Sequence, residues 1–345
     1  DKFPNHTYNT RASKKAKRRT DQLANMRARR WAKRELLIEL ELLINEVKKA
    51  VLGKDDVLKK VVIALLANGH ILLEDIPGVG KTNLAVALTK AIQLDYQRVQ
   101  LTSDVLPSDL LGYSVYDFET KEMTFKKGPL FTNIFLADEI NRTSSKTQSA
   151  LLQVMEEGMI SVDGLTYPTA KPFIVIATQN PFGSAGTQML PDSQLDRFMM
   201  RLSLGYPDEM SEIEIINRKK SGNPINSINP VLSPQELLMM QEAVTKIHLD
   251  ESLVKYIVQI VQQTRIHEKI ELGASPRASI ALMKAAQASA YLNGRDYVIV
   301  EDINENLYET LNHRIFLMPS VKKNRENFQI IMEDIMMKIA PIAYK

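Results

Sequence analysis

The sequence predicts an α/β fold: a parallel sheet with helices on both faces, interrupted by inserted β-hairpins and followed by an all-helical domain. Three observations predict it. Short continuous apolar runs, Ile71-Leu72-Leu73, Ile134-Phe135-Leu136-Ala137 and Phe173-Ile174-Val175-Ile176-Ala177, alternate with segments of helical period. That is the pattern of strands buried on both faces. The first run enters a glycine-bearing turn and then a helix-forming segment, the strand–loop–helix context of a phosphate-binding loop. Beyond Pro207 the pattern turns helical.

Taken in order, the chain opens with a basic arm, residues 1–34, which holds 12 of the 44 Lys and Arg but only 2 of the 41 Asp and Glu. Subtraction leaves 32 basic and 39 acidic residues in the body, so the net charge of +3 comes from the arm. Charge-dense and poor in aliphatics, the arm reads as disordered. A solvated tail or expression remnant is favoured over a role in binding nucleic acid or an acidic surface.

From Glu35 the character changes. Leu36, Leu37, Leu40, Leu43, Ile44 and Val47 fall at helical spacing, Val51-Leu52-Gly53-Lys54 is a turn, and Val57 to Leu66 forms a second helix. Behind the phosphate loop, Asn83 to Leu88 reads as a helix. Tyr96–Leu101 is a strand, and Phe198 to Leu204 supplies a further strand of the parallel set. Tyr113–Lys127 alternates around Glu119-Thr120-Lys121 and is a hairpin. Ile160–Tyr167 carries Asp163-Gly164 between alternating residues and is another. Such insertions have to project from the sheet.

Ser233-Pro234-Gln235-Glu236 is a capping box with proline at the first helical position, opening a helix through Ile247. Helices over Glu251–His267, Pro276–Leu292, Val300–Leu311 and Phe328–Ile339 follow. The expected domains are thus 35–220 and 221–345, with the Pro- and Asn-rich stretch Ser221–Pro230 as linker.

Composition narrows the function classes. The 345 residues are 44% hydrophobic and 25% charged, as in ordinary globular proteins. No cysteine is present, which excludes disulfides and thiolate metal sites and fits a reducing compartment. The five histidines show no metal spacing. No apolar run approaches the ~20 residues of a membrane span, and no signal-type apolar segment is found near the start. The expected location is cytoplasmic.

The chemistry begins at Glu74-Asp75-Ile76-Pro77-Gly78-Val79-Gly80-Lys81-Thr82. Glycines let the backbone wrap an anion with its N–H groups, and the helix N-terminus adds positive potential. Lys81 would sit between β- and γ-phosphates and the Thr82 hydroxyl would take one Mg²⁺ position. The strict pattern G-x-x-x-x-G-K-[ST] wants glycine where this chain has Asp75.

The second apolar strand ends in adjacent carboxylates, Asp138-Glu139, a pair that is costly to bury without a compensating cation. Behind a phosphate loop, Asp138 would hold Mg²⁺ through water and Glu139 would polarise the attacking water. Asn180, at the tip of the third strand, could orient that water or simply start an Asn-Pro turn. Arg142, Arg197 and Arg277 are candidate anion partners. Arg277 stands in the first turn of a helix capped by Ser275, where the helix dipole disfavours a cation.

Together, Pro77-Gly78-Val79-Gly80-Lys81-Thr82, Leu136-Ala137-Asp138-Glu139-Ile140-Asn141-Arg142, Ala177-Thr178-Gln179-Asn180-Pro181 and Leu195-Asp196-Arg197-Phe198 resemble the MoxR family of AAA+ ATPases. Lys146 to Leu152, Met155-Glu156-Glu157-Gly158, Leu204-Gly205-Tyr206-Pro207 and the Arg277 segment fit as well. The likeness covers residues 35–319 and leaves out the arm. Family members often carry a non-glycine residue at the position of Asp75.

The resemblance implies an αβα AAA+ domain with a helical lid, assembling as a homo-oligomeric ring, usually a hexamer, that hydrolyses ATP with Mg²⁺. Lys81 and Thr82 become Walker A, within a nucleotide-contacting set that runs from Pro77 to Asn83. Asp138 and Glu139 become Walker B and Asn180 sensor 1. Arg277 becomes sensor 2, acting in cis, and Arg197 the arginine finger reaching a neighbour, with Arg142 as second candidate. Val51, Leu52 and Gly53 would line the adenine pocket, and the hairpins would face the pore or client. The family further implies chaperone-like maturation of protein complexes, often with a partner carrying a von Willebrand factor A domain. The alternatives are an MCM-like nucleic-acid motor, with the basic arm as its support, or a magnesium-chelatase-type motor subunit.

Overall fold

The computed structural model describes residues 35–75, 78–119, 121–180, 189–321 and 324–339. The basic arm, Ile76 and Pro77 lie outside them. Helix α1 covers 35–48, followed by α2 (Asp55–Leu66), β1 (Ile71–Glu74), α3 (Lys81–Ile92), β2 (Tyr96–Gln100) and α4 (Pro107–Leu111). The hairpin β3 (Gly112–Asp117) and β4 (Glu122–Lys127) precedes β5 (Ile134–Asp138) and α5 (Ser145–Glu157). A second hairpin, β6 (Met159–Val162) and β7 (Leu165–Pro168), leads into β8 (Ile174–Gln179), α6 (Asp192–Leu195) and β9 (Met200–Leu202). The rest is α7 (Glu209–Ser221), α8 (Pro234–Thr245), α9 (Glu251–Thr264), β10 (Ile270–Leu272), α10 (Pro276–Leu292), α11 (Val300–Asn304), α12 (Leu307–Leu311), β11 (Phe316–Leu317) and α13 (Arg325–Met337).

The main sheet has the order β2-β5-β8-β1-β9, and every pair in it is parallel. Its apolar residues divide by the two-residue period of a strand. Ile71, Leu73, Ile134, Leu136, Ile174 and Ile176 face a core shared with α2 and α3. Leu72, Phe135, Ala137, Val175 and Ala177 face a second core built with α5. Helices thus cover both faces, as the unbroken apolar runs predict. The first core continues through α2 into the C-terminal helices, where the alanine-rich face of α10 allows close approach to α2, α8 and α9.

Both hairpins form. In the second, Asp163 and Gly164 take positive φ (51° and 79°), the conformation a two-residue turn of this hand demands. Phe125 stacks on Tyr167 with centroids 4.9 Å apart, tying the first hairpin to the second.

Elsewhere the structure departs from expectation. The helix read over Val300–Leu311 is two short helices. The Asn306 side-chain amide donates to Asp302 O at 2.7 Å, taking the carbonyl that the backbone N–H of an unbroken helix would use, and that N–H turns to Ile303 O. Within the stretch read as linker, Asn229 N–H donates to Glu46 Oε2 at 2.9 Å and Ile225 O accepts from Lys90 Nζ at 3.2 Å, and just beyond it the Val231 and Leu232 N–H groups both donate to Ala91 O in α3. Helix α7 and the β10–β11 pair carry no comparable periodic signal.

His70, just before β1, locks two layers together. Val175 N–H donates to Nδ1 at 3.0 Å, so the ring proton sits on Nε2 and donates to Met155 O at 3.0 Å. Burial pulls its pKa down to about 4. The unfolded chain therefore binds a proton that the fold does not, and stability is lost as pH falls through the window from about 6.5 to 4. The expected slope is roughly 1.4 kcal/mol per pH unit. Urea midpoints measured across that window should drop in the wild type, and the drop should flatten in His70→Asn.

Candidate nucleotide site

The carboxyl ends of β1, β5 and β8 converge where the sequence places its motifs. Gly78 and Gly80 have φ of 89° and 95°, a region closed to most side chains, and an added Cβ at either would meet no atom of the described residues within 4 Å. The space beside the loop is open for a ligand. Gly80 is the N-cap of α3, so the helix begins at Lys81 with its amides directed into that space. Lys81 Nζ donates to Asp75 O at 2.8 Å. Burial pulls the Lys81 ammonium below its usual pKa, while Asp75, Asp138 and Glu139 push it back up.

Asp75 explains the missing glycine. Its carboxylate is 5% exposed and accepts from Ser203 Oγ (2.9 Å), Leu204 N (2.5 Å) and Gly205 N (3.0 Å). The residue that opens the loop thus anchors it to the exit of β9. One residue earlier, Glu74 accepts from Gln179 Nε2 at 3.0 Å and pairs with Arg201 at 2.8 Å. Arg201 in turn donates to Asn312 Oδ1 and O, beyond α12. A chain of polar contacts therefore runs from the tip of β8 to the helical domain.

Asp138 and Glu139 close β5. Thr178 Oγ1 donates to Asp138 Oδ1 at 2.6 Å and accepts from Glu139 N at 2.9 Å, fixing the Asp138 carboxylate and the Glu139 backbone to β8. Arg98 pairs with Asp138 Oδ2 at 2.6 Å. Gln100 Nε2 and Arg142 Nη1 both donate to Glu139 Oε2, at 2.6 and 2.9 Å. The compensation that two adjacent carboxylates require comes from Arg98, Arg142 and Lys81. Glu139 holds φ +56°, a strained conformation for a residue with a side chain. Gln148 braces the following turn by donating to Ile140 O and Thr143 O.

Asn180 follows β8, and its carbonyl accepts from Asn141 Nδ2 at 3.4 Å. Thr82 and Asn83 lie on the first turn of α3. Of the expected adenine-lining residues, Val51 is a core side chain, 4% exposed. Leu52 and the backbone of Gly53, which passes against Ser211 of α7, are what the turn presents.

The oxygens of Thr82 and Asp138 are hard donors that suit magnesium. Among the described residues no cluster of His, Cys, Asp or Glu could hold a metal alone. Such an ion would take its remaining ligands from phosphate and water. A cavity of about 840 Å³ between α2, β9 and the helical domain includes Glu74 but none of Gly78–Thr82, so it is separate from the phosphate loop.

The three arginines divide. Arg142 stands beside Glu139 in its own chain. Arg197 and Arg277 stand together elsewhere, both ion-paired with Glu156 near the end of α5. Met200 is in register with Ile71, and Met199 N donates to His70 O, so Arg197 lies at the entry edge of the sheet. The phosphate loop leaves from the exit edge, roughly 13 Å of strand away. Arg277, expected to reach the nucleotide of its own chain, is thereby placed with Arg197 and apart from Lys81.

Arg98, Gln100, Thr178 and Glu156 were not singled out in the sequence. The signal for the first two is the polar alternation Arg98-Val99-Gln100 in β2, which puts both side chains on one face beside β5.

The fold and this site define a P-loop protein of the AAA class. The family model described as "ATPase family associated with various cellular activities" matches residues 70–200, and an AAA lid domain model matches 262–335. The chain is 47% identical over 293 residues to YeaC of Bacillus subtilis, an uncharacterized protein, covering 85% of this chain and 92% of that one. It is 37% identical to Chaperone MoxR1 of Mycobacterium tuberculosis over 87% of this chain and 82% of that one. A crystal structure described as a candidate ATPase of Cytophaga hutchinsonii superposes with a TM-score of 0.84 at 38% identity, covering 92% and 98% of the two chains. The chain belongs to the MoxR family of AAA+ ATPases. Among the described residues no helix is long and apolar enough to cross a membrane.

Proposed function

We propose that the chain hydrolyses ATP with Mg²⁺ in a homo-oligomeric ring, a hexamer by family resemblance, and uses the cycle to remodel a protein client. One observation carries the reading. The chain holds two half-sites at opposite sheet edges, the loop with Lys81, Asp138 and Glu139 on one and the Arg197–Arg277 pair on the other. A closed ring of such subunits completes every site from two neighbours.

In this reading the loop amides and Lys81 hold the β- and γ-phosphates, and Thr82 and Asp138 hold the magnesium. The ion supplies charge neutralisation on the phosphate oxygens. Glu139 takes the proton of the attacking water on Oε1, since Oε2 is engaged by Gln100 and Arg142, and Asn180 orients that water. Arg197 and Arg277 of the neighbour stabilise charge on the transferred group. The client surface is the first hairpin, where Tyr113, Tyr116, Met123 and Phe118 are exposed, Phe118 to 85%. Through Phe125 and Tyr167 that hairpin touches the second, which joins α5 to β8 and so to Asn180. The Mycobacterium relative's name supports a chaperone role. A protein with a von Willebrand factor A domain is the partner to seek.

The test is ATP turnover measured against protein concentration alongside particle mass. Turnover per subunit should rise with the fraction assembled. A monomer that hydrolyses ATP at the rate of the assembled protein would refute the shared site.

A further inference from the structure

Arg197 and Arg277 come from distant parts of the chain, yet their backbones are fixed to each other. Asp196 accepts from Ser275 Oγ, the N-cap of α10, at 2.8 Å, and from Arg314 Nε at 2.8 Å. Arg314, itself buried, also donates to the carbonyls of Asp196, Phe198 and Met199. One rigid knot thus carries both arginines two or fewer residues from its anchors.

Their side chains would still repel. Glu156 occupies the space between them, Oε2 on Arg197 and Oε1 on Arg277. Arg197 also donates to Leu152 O at 3.0 Å, one turn back on α5. Neither helix selects this arrangement locally. Glu156 lies in the last turn of α5, where an anion faces the negative end of the dipole, and Arg277 lies in the first turn of α10, where a cation faces the positive end. The bridge is also wet, since the three side chains are 30–46% exposed, and exposed ion pairs contribute little to stability. Its placement calls for another reason.

We propose that Glu156 is a positioning residue. It bridges Arg197 and Arg277 so that the two guanidinium groups, each a rigid fork suited to phosphate oxygens, are presented as one unit to the phosphates of the adjacent subunit's nucleotide. The proposal rests on the shared-site reading above.

Glu156→Gln keeps the shape of the side chain but leaves a single acceptor oxygen, so one arginine is released. In assembled rings its kcat should fall about 10- to 100-fold, with KM for ATP within about threefold, because misplacement of a group acting on the transition state costs rate rather than ground-state binding. In an Arg197→Ala, Arg277→Ala background the same change should add nothing. Mixed with Lys81→Ala subunits, Glu156→Gln should regain turnover, since its intact loops then meet intact arginine bridges. A merely structural defect would stay with the variant's own loop and would not be rescued. A kcat within twofold of wild type, a loss carried by KM, or no recovery on mixing overturns the proposal. Arg197→Ala in the same assay separates the two layers. If it is silent in assembled rings, the shared-site reading fails. If it abolishes turnover while Glu156→Gln does not, only the positioning role fails.

Discussion

Glu139→Gln is expected to lower ATP turnover by about 10²- to 10⁴-fold, the usual contribution of a positioned general base, while nucleotide binding persists. The amide is nearly isosteric and can still accept at Oε1 from Arg142 or Gln100, so the turn at Glu139, with its left-handed backbone and its N–H on Thr178, keeps its shape. What disappears is the charge that receives a proton from water. Removing a negative charge beside Lys81 also leaves the site more positive, so a phosphate-bearing ligand should bind at least as tightly. Single-turnover hydrolysis and binding of a fluorescent ATP analogue measure the two quantities separately. A variant that turns over within threefold of wild type would remove Glu139 from the base role. Held in the ATP state, the same variant is the form in which to capture the client, and a protein that co-purifies with it but not with Lys81→Ala would be that client.

Most of the αβα frame was legible because its signals are local. Strands buried on both faces must be apolar throughout, the loop glycines sit at positive φ, and Asp163-Gly164 has few conformations other than the turn it forms. The failures share a different cause. Asp75 reads as a deviation until β9 brings the Ser203 hydroxyl and the Leu204 and Gly205 amides to its carboxylate, and no rule of spacing links positions 128 residues apart. The broken helix at Asn306 depends on its side chain choosing the Asp302 carbonyl over solvent. The meeting of Arg277 with Arg197 was hidden because the sequence shows the helix Arg277 opens but not the sheet edge against which that helix docks. Glu156 stood inside a recognised motif, but its role becomes visible only when two arginines, 80 residues apart in sequence, arrive on its two oxygens.

That arrangement makes Arg197 the most decisive residue to remove. Arg197→Ala should cost about 10³- to 10⁵-fold in turnover, as expected for an arginine supplied to a phosphoryl-transfer site from a neighbour. The fold should tolerate the change, since the lost ion pair with Glu156 is partly exposed and the segment remains held by Arg314. Its own phosphate loop is untouched, so nucleotide affinity should stay near wild type. The distinguishing measurement is a mixture with Lys81→Ala. Each variant alone is inactive, one lacking the finger and the other the loop lysine. In mixed rings, an Arg197→Ala loop meets a Lys81→Ala finger in about one neighbouring pair in four at equal amounts, if the interface is heterologous and assembly is random. Turnover should therefore recover to a substantial fraction of wild type. If both groups served the nucleotide of a single chain, no mixed subunit would possess both, and the mixture would stay silent. Recovery requires that the entry edge of one subunit's sheet faces the exit edge of the next, which is the geometry that would let hydrolysis at one loop be felt by the neighbouring lid.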